Sequence, residues 1–137
     1  MKLPYTDFKP NINSYLTSKW QSSWNNASFN KFRTVKPTLG EWQKGYRPVR
    51  REEVVLSRCR IGHTHLTHSY LLKNEDQPEC IPCQSPLTVK HILIECVDFA
   101  PTRSLYYDVD SLYDLFEKVS CDNILSFLKH VGLYYKL

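Results

Sequence analysis

An all-α fold is predicted for this sequence: a small multi-helix domain with one irregular knot, preceded by a helical and extended N-terminal arm. Three observations predict it. Apolar residues recur at offsets of three, four and seven along most of the chain, the spacing of a helix face. Only 4 glycines occur in 137 residues, which argues against a Gly-rich all-β fold and against a phosphate-cradling loop. One polar-rich stretch near residue 80 concentrates cysteines and breaks the helical pattern. The division expected is 1–48 for the arm and 49–137 for the domain.

In the arm, Ile12, Tyr15, Leu16, Trp20 and Trp24 mark an amphipathic helix over roughly 12–25, with Asn11 or Asn13 as its cap. The tryptophans, Trp42 included, read as core material. Residues 26–48 carry Pro37, Gly40, Gly45 and Pro48 without periodicity and read as an extended connector, pinned by Trp42 and Tyr46.

A second helix is expected over roughly 49–60, burying Val55, Leu56 and Cys59, with Arg47, Arg51 and Arg58 on its outer side. Gly62 ends it and Thr64 caps a short helix through Leu72. Ser85 and Pro86 are a good N-cap and N1 pair for a helix burying Val89, Ile92, Leu93 and Cys96. Asp98 or a neighbour starts a short piece holding Arg103, Leu105 and Tyr106. Asp110 caps a helix with Leu112, Leu115, Phe116 and Val119 inward. Asp122 or Asn123 opens the last one, through Ile124, Phe127, Leu128, Val131 and Tyr135.

Composition bounds the function. The chain is 42% hydrophobic and 23% charged, an ordinary globular balance. It has no apolar run of about 18 residues, so no membrane span is expected. The first residues lack the apolar core of a secretory signal. Five cysteines without an export signal read as metal ligands or free thiols, in a reducing intracellular setting, cytoplasmic or nuclear. The net charge of +4 is unevenly spread: residues 1–60 hold 12 Lys/Arg and 4 Asp/Glu, whereas residues 61–137 hold 6 and 10. A basic front half suits phosphate contacts and equally suits a solvated face.

The strongest chemical pattern is C-x2-C-x7-H-x4-C, formed by Cys80, Cys83, His91 and Cys96. A C-x2-C turn presents two thiolates from one tight loop, and a following helix supplies two more ligands. A Cys3His set is among the usual structural zinc sites, which are closed to substrate water. The knot is therefore read as zinc-knuckle-like, with zinc as a structural cofactor. Five residues along an ideal helix turn about 500°, which would leave His91 and Cys96 about 140° apart. Both ligate only if the helix tightens or ends near Cys96. Otherwise Cys96 is a core thiol on the Val89/Ile92/Leu93 stripe, and His63, His65 or His68 completes the site. Those three histidines otherwise read as structural or capping groups, since no HExxH-like pattern accompanies them. Asp108, Asp110 and Asp114 lack the glycine and twelfth-position glutamate of a calcium loop.

The residues RREEVVLSRCRIGHTHLTHSYLL (50–72), PECIPC (78–83) and LTVKHILIEC (87–96) together resemble the C-terminal region of LINE-type non-LTR retrotransposon polyproteins, of the jockey and I-element kind. LPYTDFKP (3–10), Trp20 and Trp24, Asn30-Lys31 and Lys36-Pro37 are similar as well. The resemblance covers roughly residues 3–103; residues 104–137 share only helical character. Cys59 departs from it, standing where leucine is usual. In that family the stretch follows the RNase H domain, which follows the reverse transcriptase. The resemblance implies a nucleic-acid setting, RNA or DNA, in retrotransposition. It also implies RNase H and polymerase domains of the parent polyprotein as partners. Catalysis is not expected of this chain: RNase H clusters carboxylates around two magnesium ions, and residues 1–60 offer only Asp7, Glu41, Glu52 and Glu53. The basic residues expected to contact phosphates are Arg47, Arg50, Arg51, Arg58 and Arg60, with Lys31, Arg33 and Lys36 extending the surface. Met1 falls at the family's post-RNase H boundary, which suits a tail detached from its polyprotein, as a working fragment or as the remnant of a decayed element.

Overall fold

The computed structural model describes residues 5–41 and 47–137. Trp42, Gly45 and Tyr46, expected in the connector, lie outside the described residues. The chain divides into two compact units, residues 1–41 and 42–137. Among the described residues it is mostly helical, with one two-stranded hairpin. Among the described residues no helix is long and apolar enough to cross a membrane.

In the first unit, helix α1 spans Tyr5–Asn26. It begins earlier than the expected residue 12 and runs through Pro10. Proline's fixed φ is already helical, so the ring costs one backbone bond without ending the helix here. After α1 the chain folds back on it. Gln21 donates its amide to the Pro37 carbonyl at 3.0 Å and accepts from the Leu39 N–H at 2.8 Å. The Trp24 indole donates to the Lys36 carbonyl at 2.9 Å, its ring edge-on to Phe32. The connector is not wholly extended: Asn30 caps a single 3-10 turn, Lys31–Thr34. Two expectations fail here. Trp20 is 70% exposed and shares an open helix face with Phe8, Ile12, Tyr15 and Leu16. Lys36 is buried, its ammonium on the Glu41 carbonyl at 3.0 Å, and adds nothing to a basic surface.

In the second unit, α2 spans Arg50–Ile61 and buries Val55, Leu56 and Cys59. Gly62, at φ +77°, ends it in the left-handed conformation that favours glycine. Thr64 and Thr67 form a reciprocal capping box that opens α3, His65–His68. A further turn, α4, covers Tyr70–Lys73. Strands β1, Glu79–Cys80, and β2, Ser85–Pro86, pair antiparallel, with Glu79 opposite Pro86 and Cys80 opposite Ser85. Ser85 and Pro86 therefore do not start a helix. Thr88 caps the next one, its hydroxyl accepting from the His91 N–H at 3.0 Å. That helix passes at once into a π-turn, His91–Glu95.

Helices α5, Ala100–Arg103, α6, Leu112–Lys118, and α7, Cys121–His130, complete the unit. The caps of α6 and α7 are Ser111 and Ser120, each accepting from the N–H three residues on. Serine and aspartate both suit that place, so the neighbouring Asp110 and Asp122 carried the same sequence signal. Helix α7 stops at His130, short of Tyr135, and Gly132 at φ +71° turns the chain away. It supplies the centre of the core. Phe127 is fully buried among the rings of Phe99, Tyr106 and Tyr107, with centroids 6.3, 6.5 and 5.5 Å away. Leu56 and Cys59 of α2, Leu93 and Leu115 are also sealed from solvent.

Candidate metal centre

Two local structures build the site. The hairpin loop between β1 and β2 carries Cys80 at its start and Cys83 near its end. Gln84 closes it at φ +49°, the left-handed residue that lets the strand return. The second structure is the π-turn. The Cys96 N–H bonds to the His91 carbonyl at 2.7 Å, five residues back. An α-turn would point these two side chains apart. The i→i+5 closure widens the turn until both lie on one side. The helix does end at Cys96, whose backbone is extended, and instead of tightening it loosens by one residue before it stops.

The outcome is a cluster. One ligand atom each from Cys80, Cys83, His91 and Cys96 lies within 4.8 Å of all the others, so the four residues could hold a metal ion. The Cys96 sulfur stands 3.8 Å from both the Cys80 and Cys83 sulfurs. That is far beyond a disulfide bond of about 2.05 Å, and all five cysteines are free. It matches the edge of a tetrahedron whose metal–sulfur arms measure about 2.3 Å.

The donor chemistry fits as well. His91 is buried, and its Nε2 is sealed from solvent with no hydrogen-bond partner. A buried polar atom left unpaired is costly, and a metal ion is a natural partner for it. The other ring nitrogen, Nδ1, lies 3.4 Å from the Ser85 hydroxyl and 3.9 Å from the Glu95 carboxylate. Metal-bound histidines commonly give their second N–H to such oxygens, which fixes the tautomer with Nε2 free to coordinate. Backbone N–H groups also converge on the sulfurs. Those of Val97 and, more weakly, Asp98 hold the Cys83 thiol below its ordinary pKa, against its desolvation. Those of Phe99 and Asp98 act the same way on Cys96, where burial dominates and pushes the thiol up to about 11.

Later residues brace the π-turn. The Tyr107 hydroxyl donates to the Leu93 carbonyl at 3.1 Å, and the buried Arg103 guanidinium donates to the Cys96 carbonyl at 2.8 Å. Sequence reasoning placed Arg103 only on a short helix and did not single out Tyr107. Both stand in a mixed polar stretch, Arg103 between Thr102 and Ser104 and Tyr107 beside Asp108, which carries no signal of that role.

The alternative histidines lie elsewhere. His63 and His68 stack with ring centroids 3.9 Å apart, and His68 Nδ1 meets the Thr67 hydroxyl at 2.7 Å. His65 is exposed. None joins the cluster.

The five arginines expected at phosphates are mostly engaged within the protein. Arg47 pairs with Glu52 at 3.2 Å and with Asp122. Arg51 donates to the Tyr134 and Tyr135 carbonyls and lies over both rings. Arg58 donates to the Leu137 carbonyl at 2.7 Å. Arg60 reaches the Cys121 sulfur at 3.9 Å and lies over the Phe116 ring. Arg50 is exposed and makes no ion pair among the described residues. Arg51 and Arg58, with His65, Lys136 and Leu137, line a cleft of about 420 Å³, in which the Leu137 main-chain oxygen is the Arg58 acceptor. A guanidinium has five donors, so both arginines keep some for a ligand.

Compared with known proteins, the chain matches no family model, no curated relative and no solved structure.

Proposed function

We propose that this chain is a zinc-stabilised, nucleic-acid-associated module from the C-terminal region of a non-LTR retrotransposon polyprotein, with no catalytic reaction of its own. The observation that carries the metal half is the convergence of three sulfurs and one unpaired imidazole nitrogen. Zinc is the ion that tetrahedral sets of three thiolates and one imidazole usually hold, and four protein ligands leave no position for substrate water, so its role is structural. The origin rests on the resemblance of residues 3–103. The nucleic-acid half is supported by that origin and by the cleft of Arg51, Arg58, His65 and Lys136, beside the exposed Arg50. Binding there is sequence-independent and weakens steeply with salt.

Metal analysis of the purified chain tests the first half. One zinc per chain is expected, lost in both Cys83→Ser and Cys96→Ser; zinc retained at full affinity in Cys96→Ser overturns the quartet. For the second half, RNA and DNA affinity is measured against salt. Arg50→Ala, Arg51→Ala and Arg58→Ala are expected to lower both affinity and salt slope, and unchanged values refute the assignment.

A second reading has its own observation. The open face of α1, with Phe8, Ile12, Tyr15, Leu16 and Trp20, is an apolar row of the kind that docks on another protein surface. On this reading the chain is an interaction tail for the RNase H or polymerase domain. It predicts RNA affinity independent of salt, and association lost in Leu16→Asp.

A further inference from the structure

Arg103 is a buried cation with an unusual environment. It is 9% exposed, one guanidinium nitrogen sits on the Cys96 carbonyl, and Nη1 is sealed without a partner. Among the described residues it forms no ion pair. Asp108 and Asp110 line the same shallow cleft but do not reach it at ion-pair distance. Tyr107 is no counter-charge either: its hydroxyl is spent on the Leu93 carbonyl, and burial raises its pKa and keeps it neutral. An arginine cannot escape by losing its proton. A buried charge without an opposite one is strongly unfavourable.

The missing charge is next door. Three thiolates and one neutral imidazole around a divalent ion leave one net negative charge on the cluster. We propose that Arg103 is the counter-ion of the metal-loaded Cys80–Cys83–His91–Cys96 centre, a positioning residue that balances its charge and holds the Cys96 end of the π-turn. This rests on the metal reading above. The guanidinium on the Cys96 carbonyl lies within about 7 Å of the Cys96 sulfur, the covalent reach of one residue. That is inside the Debye length of about 8 Å, and burial reduces screening further. The pairing works through the loaded centre: its net negative charge relieves the buried cation, and the cation in turn favours the loaded state. It also specifies the ligand class. A divalent ion held by three thiolates and one imidazole gives the matching charge. Two thiolates and two imidazoles would be neutral, and four thiolates would carry two charges.

The test is zinc affinity by chelator competition, with far-UV circular dichroism of each loaded variant to follow the fold. Arg103→Gln keeps a donor for the Cys96 carbonyl but no charge, and is expected to weaken zinc binding by about 10–100-fold, as loss of a metal site's outer partners does. Arg103→Lys keeps the charge and is expected to stay within ~3-fold of the unsubstituted chain on the same scale. In a Cys83→His background the cluster is neutral, so Arg103→Gln should then cost little, a coupling that a purely structural hydrogen bond would not show. Equal losses in the Gln and Lys variants, or an undiminished Gln effect in the Cys83→His background, overturn the counter-ion role and leave the metal reading standing. If Arg103→Gln does not fold, Arg103→Lys decides, with a loss beyond about tenfold counting against the proposal. An unsubstituted chain without stoichiometric zinc overturns both.

Discussion

The His91 carbonyl accepts the Cys96 N–H at 2.7 Å, and this one bond sets the distance between two candidate ligands. A π-turn is rarely stable on its own account and tends to occur at functional sites. Here the widened turn is braced from outside, and the brace is testable.

Tyr107→Phe removes the hydroxyl on the Leu93 carbonyl and leaves that acceptor buried. The variant is expected to lose about 1–3 kcal/mol of stability, the cost of an unsatisfied buried polar group. Urea unfolding of the zinc-loaded proteins measures it. A loss below a few tenths would mean that water replaces the hydroxyl.

The histidines separate by position. His91→Ala is expected to reduce zinc affinity sharply, because its Nε2 is the one unpaired imidazole nitrogen buried in the cluster. His63→Ala, His65→Ala and His68→Ala are expected to leave zinc stoichiometry unchanged, because they lie outside it. Chelator competition across the four variants distinguishes them.

Two positive-φ residues predict opposite signs. Gly62 sits at φ +77° with nothing within 4 Å of where a Cβ would stand. Gly62→Ala is therefore strained without clashing, and should cost about 1–2 kcal/mol. Gln84 already bears such strain at φ +49°. Gln84→Gly should relieve it and gain up to about 1 kcal/mol, less the extra entropy of an unfolded glycine. Thermal melts of the two variants moving the same way would contradict this.

Acid should loosen the junction between α2 and α7. Lys129 and Arg47 hold the Glu52 carboxyl below its ordinary pKa, and Arg47 does the same for Asp122. A carboxyl whose folded pKa is depressed adds stability above its unfolded value, about 4.3 for Glu and 3.9 for Asp, and loses it as pH falls through the folded one. Melting temperature should thus drop below about pH 4. Glu52→Gln should be less stable than the unsubstituted chain at pH 6, with the gap closing in acid. The Cys59 thiol, which burial pushes up to about 12, stays protonated throughout and takes no part.

Much of this was legible from residue order. Apolar spacing located α2, α6 and α7 because each buries a face, while Gly62 marked the end of α2 and Thr64 the start of α3. The quartet was legible because a C-x2-C pair followed by a histidine and a third cysteine is the ligand spacing of a structural zinc site. What resisted was geometry without a residue signature. Nothing in His91-Ile-Leu-Ile-Glu-Cys96 announces a π-turn, since its bracing hydroxyl and guanidinium come from Tyr107 and Arg103. Ser85-Pro86 misled because proline's missing N–H suits a first helical turn and a short edge strand alike. Trp20 misled because periodicity reveals an apolar face but not whether anything covers it. Charge counting located the basic residues but could not see that Glu52, Asp122 and backbone carbonyls receive Arg47, Arg51 and Arg58 within the protein.

The bracing of the π-turn from downstream also separates the ligands from what steadies them. Cys80 and Cys83 sit on one short hairpin and can catch an ion as soon as that hairpin forms. His91 and Cys96 receive their outside brace only once the chain has extended past Tyr107, where the Leu93 carbonyl finds its donor. A peptide ending at Cys96 holds every candidate ligand, yet lacks the residues that turn the last one inward.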